Sequence, residues 1–169
     1  IEGGYFDKLR ASPVSRTALV LGRLTAEGAK TFTIAALIVV AALPFGISIA
    51  SGPLGFLLLL LLTASWAVVF SGFIQLLALK TRSAAATQSA SLVFFPLLFL
   101  TPNFVPRDLL TRPMEIAATV NPVTYIMEAM RSLILESNDW AAVGWGFAVV
   151  AVSGAVMLAL NVRTIRAYD

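Results

Sequence analysis

Gly22 to Thr31 reads GRLTAEGAKT, which has the look of a phosphate-binding loop and would make the chain a nucleotide hydrolase. That motif needs four residues between its glycines and a Gly-Lys-Ser/Thr ending, so that backbone amides and the lysine converge on phosphate. Here five residues separate Gly22 from Gly28, and Ala29 intervenes before Lys30. The stretch also leads straight into a long apolar run instead of following a strand. Nucleotide binding by this chain is rejected on those grounds. Other chemistry is scarcer still. There is no cysteine and no histidine, which removes thiol catalysis, almost every zinc, copper or haem site, and the usual general base near neutral pH. A membrane-embedded protease or transferase would need a nucleophile–base pair or metal ligands within its bundle. No catalytic, cofactor-binding or metal-binding residue is therefore assigned.

The elements around these residues are built for lipid. Of 169 residues, 59% are hydrophobic and 12% charged, against roughly 45–50% and about 25% in a soluble domain. Four stretches are long and uncharged enough to cross a bilayer, which takes roughly 20 apolar residues. They are residues 31–50, continuing a helix that starts earlier, then 54–79, 84–104 and 141–161. None contains Asp, Glu, Lys or Arg. Pro44 and Pro96 fall within the first and third and predict a kink or local break in each. The second is longer than the hydrocarbon requires and should tilt or project.

The basic residues set the orientation. Lys8, Arg10, Arg16, Arg23 and Lys30 precede the first span, Lys80 and Arg82 join the second to the third, and Arg163 and Arg166 follow the fourth. Placing these segments inside puts nine of the 12 basic residues in the cytoplasm, while the 105–140 connection holds five of the nine acids. Both ends of the sequence are then cytoplasmic. The basic residues flank apolar spans instead of forming a stripe with aromatics, so topology explains the pI of about 9.7 and no nucleic-acid partner is expected.

Two polar segments carry the remaining information. Within residues 1–30, Tyr5, Phe6 and Leu9 share one side of a short amphipathic helix, and Ser12-Pro13 is a cap followed by proline at a helix start. Such a helix suits either an anionic lipid surface or a cytoplasmic partner. Within 105–140, Asn121-Pro122 is a second helix start. Val123, Ile126, Met127, Met130 and Ile134 follow at helical spacing, with Thr124, Glu128 and Arg131 placed away from that stripe. This helix is too short to span and is expected to dip into the outer leaflet or cap the bundle.

The opening GGYFDKLRASPVSRTALVLGR and the stretch NPVTYIMEAMR at Asn121–Arg131, with the span spacing, resemble the permease subunits of ABC-2-type exporters of drugs, lipids and polysaccharides. The resemblance covers essentially the whole chain, as the C-terminal two-thirds of a six-span subunit. It implies an all-α polytopic bundle with four of six transmembrane helices, an amphipathic cytoplasmic coupling helix and external re-entrant-type helices. It also implies a partner ATPase that holds ATP and Mg, a second permease subunit in a homo- or heterodimer, and location in a bacterial plasma membrane. Tyr5, Phe6, Leu9, Arg10, Ser12, Pro13 and Arg16 would couple to the ATPase. The external motif would comprise Asn121, Pro122, Tyr125, Glu128 and Arg131. In the span 84–104, which lines the route in the family, Gln88, Ser91, Phe95 and Phe99 fall at spacings that share one helical face. Polar residues there fit a cavity or helix packing equally. An ion-coupled secondary transporter and a non-transporting partner subunit are the alternatives.

Overall fold

The computed structural model describes residues 16–46, 48–81, 83–90, 92, 94–99, 101, 111–135 and 139–166. Among them every regular element is helical. The first helix, α1, spans Arg16–Ala42 without interruption, as expected for a helix that climbs through Arg23 and Lys30 into an apolar run. At Leu43–Phe45 the chain tightens into a 3-10 turn containing Pro44, and Gly46 ends it with φ of 84°. The break expected at Pro44 is thus a change of helix type at the end of the element, because proline has no N–H to continue the ladder. Gly52, at φ of 63°, completes the hairpin and opens α2, Gly52–Thr81. Its 30 residues rise about 45 Å at about 1.5 Å each, well over the hydrocarbon thickness. The last long helix is α7, Trp140–Arg166.

Three helices are long and apolar enough to cross a membrane: Val20–Phe45, Gly52–Thr81 and Trp140–Ile165. The third predicted span lies only partly within the described residues. Those include two helical stretches, α3 (Ala84–Ala90) and α4 (Phe94–Phe99). Pro96 sits in the first turn of α4, where a missing N–H costs least. The connection to α7 contains α5 (Arg112–Val120) and α6 (Pro122–Ile134). Helix α5 is not placed individually among the expected external helices, although Thr111 precedes Arg112-Pro113 and Glu115 lies in the first turn, a usable start signal.

The core forms where α2, α6 and α7 meet. Leu62, Val69, Ile126, Ala129 and Val150 make one buried cluster, and Leu59, Leu133 and Val143 make a second. A third, Val20, Leu24 and Ile165, ties α1 to the far end of α7. Helix α6 therefore lies beside the N-terminal halves of α2 and α7. That placement corrects one expectation. Thr124, expected to lie away from the apolar stripe, is fully buried, together with Ala129 and Ser132. A helix packed on two neighbours buries a wider arc than a single stripe. Glu128 is half-buried and Arg131 exposed, as the pattern predicts.

Candidate functional site

The most fully determined of the predicted site residues lie around Asn121. Its Oδ1 accepts the Val123 N–H at 3.0 Å, which caps α6, with Pro122 in the first turn. Its own N–H donates to the Ala117 and Ala118 carbonyls and so closes α5. One buried asparagine thus serves two helix ends. The Tyr125 hydroxyl donates to the Thr119 carbonyl at 2.9 Å, a second tie between the two helices. At the far end of α6, the Ala50 and Ser51 amides of the α1–α2 hairpin donate to the Ile134 and Leu133 carbonyls, each at 3.3 Å. Those carbonyls have no partner within their own helix, and the hairpin satisfies them. Asp139 then starts α7: its Oδ1 accepts from Ala141 and Ala142 at 3.0 and 3.1 Å, while its carbonyl accepts from Ser132 Oγ.

What these ties position is the packing of α6 on α7. A Cβ on Gly146 would stand 2.6 Å from the Ala129 Cβ and 3.2 Å from the Tyr125 carbonyl. Only a residue without a side chain permits that crossing, a small-residue contact of the kind membrane helices use. Asn121 and Tyr125 of the sequence motif thus tie α5 to α6.

The expected substrate-path residues present a different face. Gln88 on α3 is exposed, as are Phe95 and Phe99 on α4, each at 61%. The two phenylalanine rings lie with centroids 6.2 Å apart, within the range of favourable aromatic pairs. Phe95 and Phe99 lie one turn apart on α4, and Gln88 lies on α3. Ser91 lies outside the described residues. So do Tyr5, Phe6, Leu9, Arg10, Ser12 and Pro13; Arg16 is the first residue of α1, and its side chain is not described.

The model of the family described as ABC-2 type transporter matches residues 1–135. The chain belongs to the ABC-2 type transporter family. A comparison with curated proteins and one with solved structures found no match. As an ABC-2 domain it is a membrane transport component and an integral membrane protein, and it is not itself catalytic. The family implies partnership with an ABC ATPase subunit. No group of acidic residues suited to a metal ion occurs among the described residues.

Proposed function

We propose that this chain is the permease subunit of an ATP-driven exporter, which moves an amphipathic or apolar molecule outward using a partner ATPase. The observation that carries the substrate class is the exposed Phe95–Phe99 pair, which offers aromatic stacking area. The segment 3–16 docks the ATPase, with Phe6 and Leu9 in an apolar cleft and Arg10 and Arg16 toward acidic groups. The unbroken run of α1 from Arg16 supports this, because a continuous helix carries a push from its end into the bundle. Two permeases enclose the route. Helices α5 and α6 are external, both ends of the sequence are cytoplasmic, and the membrane is a bacterial inner membrane.

The test uses the full-length protein with its ATPase in sealed vesicles and a fluorescent amphipathic dye. ATP-dependent dye movement is expected, with a several-fold loss when Phe95→Ala and Phe99→Ala are combined. Movement that persists without ATP and collapses with an ionophore would make the protein an ion-coupled carrier. No movement under either condition would make it a non-transporting partner. For the docking segment, Phe6→Asp with Leu9→Asp is expected to abolish co-purification with the ATPase; an undiminished complex would sink that assignment.

A further inference from the structure

Asn161 lies in a membrane-crossing helix and is fully buried. An amide in that setting is retained only where its donors are used. Both are. One Nδ2 proton goes to the Met157 carbonyl in its own helix at 2.8 Å, and the other crosses to the Gly72 carbonyl of α2 at 2.9 Å. Gly72 makes the approach possible: a Cβ there would sit 3.5 Å from the Met157 Cβ and 3.7 Å from Asn161 Nδ2. One turn further along α2 the Gln75 Oε1 is also buried, and neither it nor the Asn161 Oδ1 has a hydrogen-bond partner among the described residues, so the Asn161 amide is anchored through its donors alone.

The neighbouring helix is held differently. The most apolar stretch of α1 is 0% buried, against 33% for α2. Next to the Asn161 contact, Leu21 and Leu24 of α1 line, with Val69, Gly72, Met157 and Leu158, an apolar cleft of about 270 Å³, at whose edge Leu24 comes within 3.9 Å of where a Gly72 Cβ would stand. Among the described residues that line it, the one polar side chain, Thr25, is turned back onto the Leu21 carbonyl at 2.8 Å. Space of this size with no polar demands can close without breaking a hydrogen bond.

We propose that Asn161 is a positioning residue that latches α7 to α2 so that the two travel as one body, and that α1 tilts against this body across the apolar cleft during transport. The inference rests on the transport reading above, but part of its test does not need transport.

Gly72 and Met157 have Cβ positions 3.5 Å apart, which suits a disulfide, and the chain has no cysteine of its own. In the full-length protein, Gly72→Cys with Met157→Cys is expected to cross-link on oxidation and keep transport within about twofold. Gly28→Cys with Val68→Cys, which locks α1 to α2 where they touch, is expected to abolish it. Adding Asn161→Leu to the first pair is expected to slow cross-linking several-fold, a readout that stands even if the wild-type protein transports nothing. Three results would overturn the latch: loss of transport on joining α2 to α7, undiminished transport on joining α1 to α2, or an unchanged cross-linking rate with Asn161→Leu. Should Asn161→Leu fail to fold, Asn161→Ala in the same cysteine pair, which removes the Nδ2 donor without added volume, gives the same cross-linking readout, and an unchanged rate there would overturn the latch.

Discussion

The two ends of α7 are fastened by different physics. Near Trp140 the helix is held by shape: Gly146 receives Ala129 so closely that no side chain fits between them. Near Arg166 it is held by a directional bond from Asn161 to the Gly72 carbonyl. Shape contacts are unforgiving of added volume but make no demand on polarity. A hydrogen bond in an apolar surround tolerates modest changes in spacing and fails when its donor is removed. The first suits a joint that must stay closed, and the second a contact that must hold two particular helices in register.

The largest effect should come from the shape contact. Gly146→Leu is expected to lower stability by about 1–3 kcal/mol through overpacking, seen as a lower unfolding temperature in detergent. Gly146→Ala should be partly rescued by Ala129→Gly, since the Ala129 Cβ is the nearest atom met; absence of rescue would show that the Tyr125 carbonyl governs the crossing instead. Next comes Asn161→Leu, expected to cost about 0.6–1.7 kcal/mol, the range for interhelical bonds in membranes. A double-mutant cycle with Gly146→Ala should be additive, because the two contacts lie at opposite ends of the helix; strong coupling would merge the two fastenings into one.

Smaller changes sharpen the same contrast on the α5–α6 side. Asn121→Ala should cost about 1 kcal/mol for the lost cap and speed amide exchange at Val123. Tyr125→Phe, which removes one bond to the Thr119 carbonyl, should cost about 0.5–1 kcal/mol, with exchange faster in α5 and unchanged in α7. The smallest effect belongs to the ion pair of Glu27 with Lys30 at 2.7 Å, whose Lys30 side chain is 58% exposed. Glu27→Gln should shift stability by less than about 0.5 kcal/mol.

Most of the long elements were legible from composition. Uncharged runs around α1, α2 and α7 follow from the cost of a charge in lipid, and the Asn121-Pro122 start of α6 follows from capping geometry that is purely local. The stretch from Ala84 to Phe104 reads as one span, and its described residues include the helices Ala84–Ala90 and Phe94–Phe99. Thr124 was placed on the wrong side because periodicity assumes one packing partner, and α6 has two.

From the sequence alone came the membrane class, the absence of catalytic groups and the family resemblance, all of which rest on residue types and short spacings. Tertiary structure decided the use of Asn161 and Gly146. Asn161 and Gly72 are 89 residues apart, and each looks ordinary in its own span. Their meaning lies in which helices meet and at what depth, and that is settled by the summed packing of α2, α6 and α7, which no local window of sequence contains.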